Sequence, residues 1–246
     1  MNYNCLKKGI ILLLCLLYLT QSYAQETVNF PSLDDLPITA DLYKINDTAT
    51  YIVLCHLSEG SRGEYKETAL RLNDLGYNCL AIDTRTGKEI LGITNETAIA
   101  AKKLNKTSDY LSSEQDILAA IDYADSLSNG ENIILLGSSF SASLALKIAV
   151  INPKVKAVIA FSPGEYFGDK FNLKNALDAL DKPAFVTSSK KEVPAVSTLI
   201  ENIDLKNIVH YMPKEEGAHG SLSLWTMIPN NEEYWKALEG FLIQID

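Results

Sequence analysis

The stretch that most constrains the fold lies in the middle of the chain, at residues 132–149, with the sequence NIILLGSSFSASLALKIA. An apolar run over residues 133–136 stops at a Gly-Ser-Ser tripeptide at 137–139. Apolar side chains then recur about every four positions, which is the spacing of one helix face, at Phe140, Leu144 and Ile148. The pattern predicts a buried strand, an abrupt turn and a helix.

From residue 51 onward, short apolar runs typical of buried strands alternate with segments of helical periodicity. The predicted strands are residues 51–55, 79–82, 133–136, 155–161, 184–187 and 208–212. The predicted helices, besides the one that begins at residue 140, are residues 64–75, 97–104, 113–127, 173–180, 194–203 and 232–244. Such alternation requires parallel strands joined by crossovers. Two half-buried strands at residues 27–30 and 38–44 precede them, so we predict one doubly wound α/β domain with a mostly parallel sheet of eight strands.

The first 24 residues have the pattern of a secretory signal peptide. Lys7 and Lys8 precede an apolar run at residues 10–19, and small side chains stand at Ser22 and Ala24. The run is about half as long as the roughly 20 apolar residues that a membrane span needs. We therefore expect cleavage near Ala24, export to the periplasm or the medium, and a mature domain of residues 25–246.

Charge limits the partners of this chain. Its 22 basic and 31 acidic residues give a formal net charge of −9, and loss of the first 24 residues, which hold two lysines and no acid, makes it −11. Such a surface repels nucleic acid and anionic lipid. We therefore expect no nucleic-acid binding. No later apolar segment is long enough to span a membrane, so we expect no membrane insertion after signal cleavage. Composition indicates no oligomeric state.

Cys55 and Cys79 are the cysteines that follow the predicted signal peptide. Cys55 ends one predicted strand, and Cys79 begins the next. If these strands are parallel neighbours, an offset of about four residues separates the two cysteines by roughly 13 Å. A disulfide allows only ~7 Å between Cα atoms. We therefore expect two buried thiols.

The turn at residues 137–141 fits the Gly-x-Ser-x-Gly pattern of a nucleophile elbow, with Ser141 in the place of the last glycine. Such an elbow holds its central serine, here Ser139, on a cramped turn between strand and helix. A hydroxyl is a weak nucleophile until a neighbouring base takes its proton. The hypothesis therefore requires a histidine and an acid at the same carboxyl edge of the sheet.

Among the three histidines, His219 is the best candidate for the base, because it lies in a turn just beyond the last predicted strand. His210 falls inside that strand, and His56 directly follows the strand at residues 51–55. The predicted acid is Glu192, in the loop after residues 184–187. Nucleophile, acid and base then follow in the chain order that is typical of elbow enzymes.

Alternatives to Glu192 as the acid remain open. Ser189 and Glu192 have the spacing of a capping box, which is a structural device at a helix start. With Ser189 as the cap, however, Pro194 would fall at the fifth helical position, where its ring clashes with an earlier carbonyl. Glu165 and Asp169, which follow the strand at residues 155–161, are the substitute candidates.

An oxyanion hole needs two backbone N–H groups. Phe140, the residue after the nucleophile, supplies one, and the turn after residues 51–55 supplies the other, from Ser58 or its neighbour Leu57. Three further side chains on carboxyl-edge loops are candidates for substrate binding: His56, Arg62 and Arg85. For the two arginines, an ordinary ion pair with Glu64 or Asp83 is the alternative.

Two loop lengths bear on access to such a site. Residues 84–112 form a connection long enough to cover a pocket. By contrast, about 20 residues separate the strand at 155–161 from the strand at 184–187, too few for an inserted cap domain. We predict an open pocket.

Six segments carry a resemblance to a known family: CHLSEGSRGEY (55–65), LGYNCLAIDTRTG (75–87), LLGSSFSASLAL (135–146), AFSPGEYF (160–167), FVTSSKKE (185–192) and GAHG (217–220). From about residue 27 onward, the chain resembles α/β-hydrolases of the dienelactone-hydrolase-like group. The resemblance implies the α/β-hydrolase fold, hydrolysis of esters or related acyl compounds, and a triad of Ser139, His219 and Glu192. The expected mechanism requires no metal or organic cofactor. Dienelactone hydrolases proper use a cysteine nucleophile, and many relatives use an aspartate acid, so their substrate is not carried over.

The sequence therefore predicts an exported serine hydrolase that cleaves an ester or related small-molecule acyl substrate through an acyl-enzyme. The same machinery also suits cleavage of a C–C or a peptide bond. The alternative is a non-catalytic protein that binds small molecules on a hydrolase scaffold, because a fold does not fix a function.

Overall fold

A computed structural model describes residues 24–128, 130, 133–204 and 206–245. The described strands are β1 (Ala24–Pro31), β2 (Pro37–Lys44), β3 (Tyr51–Cys55), β4 (Asn78–Ile82), β5 (Glu89–Ile90), β6 (Ile93–Thr94), β7 (Ile133–Ser138), β8 (Val155–Phe161), β9 (Ala184–Thr187) and β10 (Ile208–Tyr211). The described α-helices are α1 (Lys66–Asp74), α2 (Glu96–Lys103), α3 (Glu114–Leu127), α4 (Phe140–Ile151), α5 (Leu173–Leu177), α6 (Val193–Leu199) and α7 (Asn231–Ile245).

Eight of these strands form one sheet, in the order β1, β2, β4, β3, β7, β8, β9, β10. The pairs β1 with β2 and β2 with β4 are antiparallel, and all other neighbours are parallel. The predicted eight-stranded, mostly parallel, doubly wound α/β sheet is confirmed. The segment between β8 and β9 holds a 3₁₀ turn and the short helix α5, with no inserted cap domain.

The continuous apolar runs of the central strands follow from burial on both faces of the sheet. In β3, Tyr51 and Val53 face a core formed with α3 and α4, while Ile52 and Leu54 face a second core formed with α1 and α7. Successive side chains of a strand point to opposite faces, so a strand covered on both sides has no polar positions. All five residues of β3 are buried.

The long connection at residues 84–112 contains a hairpin that periodicity does not predict. Within residues 84–112, β5 and β6 form a two-stranded hairpin apart from the main sheet. Leu91 and Gly92, which connect these strands, have φ values of 52° and 75°. Positive φ at both turn residues matches the twist of paired strands, but a leucine in this conformation gives no clear signal in a sequence.

The region predicted as a signal peptide lies outside the described residues, except for Ala24, which begins β1. In the part of the chain that the structure describes, no helix is long and apolar enough to cross a membrane.

Cys55 and Cys79 are both free and buried, as predicted. Cys79 is level with Ile52 in the register of β3 and β4, so the two cysteines are offset by three residues rather than four. At the usual rise the separation is still about 10 Å. Burial raises the pKa of both thiols, so they remain protonated and inert in the core.

The Arg85 guanidinium is not available to a substrate, because the side chain is only 1% exposed and lies between two carboxylates. Its guanidinium donates to Asp116 at 2.7 Å and to Asp34 at 2.8 Å. Asp116, on α3, is also buried, and it accepts the backbone N–H of Arg85 at 2.8 Å. This buried ion pair fixes the start of the 84–112 segment against α3, and Arg85 is structural rather than a substrate ligand.

We expect the substitution Asp116→Ala to destabilise the fold by about 3–5 kcal/mol, because it leaves a buried guanidinium without its main partner. Chemical denaturation followed by circular dichroism measures the change. Asp122→Ala on the same helix is the control, since Asp122 pairs with Lys154 at an exposed position and such pairs contribute ~1 kcal/mol or less. Equal losses in the two variants would contradict a structural role for the Arg85 pair.

Candidate active site

Ser139 lies at the junction of β7 and α4, on the turn that the sequence predicts. Its φ of 60° is in the left-handed region, which is strained for a residue other than glycine. A Cβ on Gly137 would lie 2.3 Å from the Ser141 carbonyl oxygen, so only glycine permits this approach of α4 to β7. The Ser139 N–H donates to the Phe161 carbonyl of β8 at 2.8 Å, which fixes the turn to the sheet.

Ser141 has a contact that explains the departure from glycine in the elbow pattern. Its Oγ donates to the His56 carbonyl oxygen at 2.7 Å, within the buried layer between α4 and the loop after β3. The first turn of α4 is thereby joined to the loop that carries Leu57 and Ser58. Serine at this position therefore links two parts of the site.

The structure brings His219 to Ser139. The Nε2 atom of His219 lies 2.8 Å from Ser139 Oγ, and its Nδ1 atom lies 2.5 Å from Glu192 Oε1. This geometry fits a neutral imidazole that donates from Nδ1 and accepts the serine hydroxyl proton at Nε2. Gly220 allows the loop to pass, since its φ is 67° and a Cβ there would lie 2.3 Å from Ser138 Oγ.

Glu192 makes both contacts that the sequence presented as alternatives. Its Oε1 atom faces His219, while its Oε2 atom accepts from Ser189 N at 3.1 Å, Ser189 Oγ at 2.6 Å and Ser162 Oγ at 2.9 Å. The capping box belongs to a separate 3₁₀ turn at Lys190–Glu192, and α6 begins at Val193. Pro194 therefore falls in the first turn of α6, where proline is tolerated. The capping box is thus compatible both with this proline and with the contact between Glu192 and His219.

Glu192 and His219 shift each other's pKa values toward a charged pair. Burial acts to raise the pKa of Glu192, but hydrogen bonds from His219, Ser189 and Ser162 outweigh it and lower the pKa to about 2. The hydrogen bond to Glu192 raises the pKa of His219, and its partial burial opposes this more weakly. The pair is therefore a carboxylate next to an imidazole that gains a proton more readily than an isolated histidine.

The substitute acids lie elsewhere. Glu165 accepts the backbone N–H groups of Leu173 and Lys174 at 2.9 and 2.7 Å, so it caps the start of α5. Asp169 belongs to the exposed 3₁₀ turn at Gly168–Lys170. No hydrogen bond joins either carboxylate to His219 among the described residues. The geometry favours Glu192 as the acid.

One of the two candidate oxyanion donors after β3 is already occupied. The Leu57 N–H donates to Glu64 Oε2 at 2.8 Å, so it is not free to bind a substrate oxygen. The N–H groups of Ser58 and of Phe140, the first residue of α4, have no hydrogen-bond partner among the described residues. Ser58 therefore remains the candidate second donor, and Leu57 does not.

His56 and Arg62 are structural rather than exposed to a substrate. His56 is fully buried, with Nδ1 at 2.6 Å from the Leu57 carbonyl and Nε2 accepting the Thr84 N–H at 3.0 Å. Burial lowers the pKa of His56 to about 4, which keeps it neutral. The Arg62 guanidinium pairs with Asp83 at 2.7 Å and with Asp41 at 3.1 Å.

Several residues near Ser139 were not anticipated from the sequence. The ring of Tyr110 stacks on Phe140 with centroids 4.6 Å apart, and Tyr166 meets Tyr110 edge-on at 6.4 Å. Burial raises the pKa of Tyr166, with Ser139 among the groups that oppose the shift, and the Tyr166 hydroxyl donates to the Ser162 carbonyl at 3.1 Å. The sequence signal for Tyr166 is its position just after β8, at the carboxyl edge of the sheet where site residues gather.

The approach to the Ser58 loop is open and polar. A cleft of about 560 Å³ adjoins this loop, with Ser58, Thr86, Lys88 and Lys102 among its lining residues. Lys88 pairs with Glu59 at its rim. No group of three or more His, Cys, Asp or Glu side chains is arranged to hold a metal ion within the described parts of the chain.

Comparison with known proteins agrees with this architecture. The profile of the dienelactone hydrolase family matches residues 41–203, more than half of the chain. The chain belongs to the dienelactone hydrolase family and is a hydrolase of the α/β-hydrolase fold. A comparison with curated protein sequences finds no significant match.

Solved structures show the same fold at low sequence identity. The esterase Pf2001 of Pyrococcus furiosus is 16% identical, with a TM-score of 0.69 over 91% of this chain and 92% of that chain. A dienelactone hydrolase of Anabaena variabilis is 16% identical, with a TM-score of 0.68 over 90% and 98%. Est1E of Butyrivibrio proteoclasticus, solved with ferulic acid bound, is 16% identical, with a TM-score of 0.67 over 88% and 98%.

We expect His219 to titrate above 6.5, the ordinary histidine pKa, because the charged Glu192 acceptor favours its protonated form. In Glu192→Gln the acceptor loses its charge, so the midpoint falls. Observing the imidazole protons by NMR across a pH series measures both values.

Two controls accompany this titration. His210, whose pKa is lowered by burial alone, serves within the same spectra and does not move. Glu165→Gln, which removes the charge of the rival carboxylate, leaves His219 unchanged. A His219 midpoint that moves in Glu165→Gln but not in Glu192→Gln would reverse the assignment of the acid.

Proposed function

We propose that the protein is an exported serine hydrolase that cleaves an ester or related acyl substrate through Ser139, His219 and Glu192. The observation that carries the proposal is the hydrogen-bonded chain from Ser139 Oγ through both imidazole nitrogens to Glu192 Oε1. Membership of a hydrolase family supports it. The strained turn that presents Ser139 at the carboxyl edge of the sheet supports it as well.

In the first half of the proposed reaction, Ser139 Oγ attacks the carbonyl carbon of the substrate while His219 Nε2 takes the serine proton. The carbonyl oxygen becomes an oxyanion, which the N–H groups of Phe140 and Ser58 stabilise. As the carbonyl re-forms, the bond to the leaving alcohol breaks, and the imidazolium gives its proton to the alcohol oxygen. The acyl group remains on Ser139 as an ester.

In the second half, a water molecule takes the place of the alcohol. His219 removes a proton from the water as its oxygen attacks the acyl carbon, and the proton then passes to Ser139 Oγ as the acid is released. Glu192 keeps the imidazole in the correct tautomer and stabilises its charged form. The serine hydroxyls that hold Glu192 leave its Oε1 atom directed at His219.

The open entrance supports a small or medium ester as the substrate class. No inserted domain separates β8 from β9, so a substrate reaches Ser139 without displacing a large lid. The Tyr110 and Tyr166 rings offer an apolar wall beside the nucleophile. Of the structural neighbours, Pf2001 is an esterase and Est1E was solved with ferulic acid bound. From them we extend to this chain only the class of acyl substrate.

We expect a fluorophosphonate probe to label the wild-type protein at Ser139, and Ser139→Ala to lose both the label and about 10⁴-fold or more of aryl-ester turnover. Ser126→Ala, on the outer surface of α3, is the control and keeps both. Peptide mapping by mass spectrometry locates the label. Folded wild-type protein that takes no label would support the alternative of a binding protein on a hydrolase scaffold.

Export is proposed from the pattern of residues 1–24. Expression of the full chain with its own N-terminus in a bacterial host is expected to yield a mature protein that begins near Gln25, in the periplasm or the medium. Intact-mass measurement of the fractionated product identifies the new terminus. Replacing Leu13 and Leu14 by arginine in the apolar run blocks processing. Full-length protein in the cytosol of the unmodified strain would contradict export.

A further inference from the structure

A second carboxylate lies beneath the site and has no part in the triad. Glu64 belongs to the 3₁₀ turn Arg62–Tyr65, which follows the loop after β3, and its side chain is completely buried. A charged group is costly to bury without partners. Its presence in the interior, a short distance from the reacting groups, therefore calls for a physical explanation.

Each hydrogen bond of the Glu64 carboxylate reaches a residue adjacent or close to a residue of the site. The Oε2 atom accepts the N–H of Leu57 at 2.8 Å, next to the candidate oxyanion donor Ser58. The Oε1 atom accepts from Ser221 Oγ, two residues beyond His219. Ser221 in turn donates its backbone N–H at 2.9 Å to the Oγ of Ser138, directly before Ser139.

These partners are donors, so they favour the ionised form of Glu64. A backbone N–H can only donate. The Oγ atom of Ser138 accepts the N–H of Ser221 at 2.9 Å, so the hydroxyl proton of Ser138 points away from Ser221. Burial raises the pKa of Glu64, and the hydrogen bonds from Ser221, Leu57 and Ser138 act against that shift. Donors on three separate segments thus favour the ionised form of the carboxylate.

The backbone of Glu64 is fixed independently of its side chain. Its N–H donates to the Ser61 carbonyl at 3.0 Å, and its carbonyl accepts from Trp225 Nε1 at 2.9 Å. Trp225 follows the 3₁₀ turn Gly220–Leu224 that begins directly after His219. The Glu64 turn is therefore attached to the histidine loop at two points, through Ser221 and through Trp225.

From these contacts we propose that Glu64 is a positioning residue that holds the Ser58 turn, the Ser139 elbow and the His219 loop in mutual register, and that its buried charge favours the imidazolium formed during the reaction. The inference rests on the proposed serine-hydrolase function. The hydrogen bond to Glu64 occupies the Leu57 N–H, so the next N–H, that of Ser58, is the one left free for an oxyanion.

The charged groups near His219 allow the electrostatic part to be isolated. Glu192 and Glu64 both raise the pKa of His219, whereas Lys191 lowers it. Glu192 contacts the ring directly, and Glu64 acts only through space. Neutralising Glu64 is therefore expected to shift the acidic limb of the pH profile to lower pH, without breaking any hydrogen bond of the triad.

The substitution Glu64→Gln tests both effects. Glutamine has the same size, but its amide can accept from Leu57 or from the serines, not from all three. We expect kcat for a short aryl ester to fall about 10-fold to 10²-fold, the scale on which small misplacements act, with KM changed less than threefold. The acidic limb of kcat/KM moves to lower pH.

Glu67→Gln is the matched control. Glu67 lies three residues further on and also reaches the segment after the histidine loop, at Thr226, but from an exposed position. It keeps wild-type kcat and pH profile. Should Glu64→Gln fail to fold, Glu64→Asp replaces it. The shorter carboxylate keeps the charge and loses part of the reach, so kcat falls while the acidic limb stays.

Failure of this proposal can be told apart from failure of the proposed function. If Ser139 of the wild type takes no fluorophosphonate label, the hydrolase proposal falls. If the wild type is labelled, and folded Glu64→Gln keeps both kcat and the acidic limb, the role of Glu64 is overturned. A Glu64→Asp variant with wild-type kcat overturns the positioning role in the same way.

Discussion

The site depends on one constraint, the close approach of α4 to β7 at the Ser139 turn. Gly137 has no room for a Cβ, and Ser139 has a positive φ, a conformation that costs of order 1–3 kcal/mol for a residue other than glycine. The buried strand before the turn and the largely buried helix after it supply the packing that maintains this strain. Because the turn is fixed, the first N–H of α4, the Ser139 hydroxyl and the Ser138 hydroxyl have fixed directions. The histidine loop and the Glu64 turn are both joined to that frame.

Serine hydroxyls and backbone N–H groups hold the carboxylates of the site, and arginine does not. Glu192 accepts from Ser162 and Ser189, while Glu64 accepts from Ser221 and Leu57. The arginines of the neighbouring loops, Arg62 and Arg85, are paired with carboxylates of the scaffold instead. The distinction has a chemical consequence, since a cation beside Glu192 would weaken its effect on His219, whereas neutral donors keep the carboxylate ionised and leave its charge available to the imidazole.

Periodicity was sufficient for the layout of the sheet, because burial on two faces leaves a direct trace in the runs of β3, β4 and β7. The elbow was also visible locally, since glycine at 137 and serine at 139 are requirements of a single turn. The dual role of Glu192 was not, because its two oxygens serve different partners and a local motif describes only one of them. Periodicity places Glu64 in the predicted helix at residues 64–75 and gives no sign of its role, because its contacts with Ser221 and Trp225 join segments more than 150 positions apart. Contacts of that range follow from the packing of loops, which no local pattern encodes.

The division between sheet and loops also bears on specificity. Under the proposed function, the sheet edge fixes where a substrate carbonyl meets Ser139, and the family match over residues 41–203 covers this turn. The groups that meet the rest of a substrate come from less constrained segments: Tyr110 from the long connection after β4, and Tyr166 from the loop after β8. In place of a cap domain, these two loops form the wall, and loops change more readily than the elements that they join. Under the proposed function, the reaction class is therefore tied to the elbow and its attached carboxylates, whereas the identity of the acyl group depends on a few aromatic side chains at the rim.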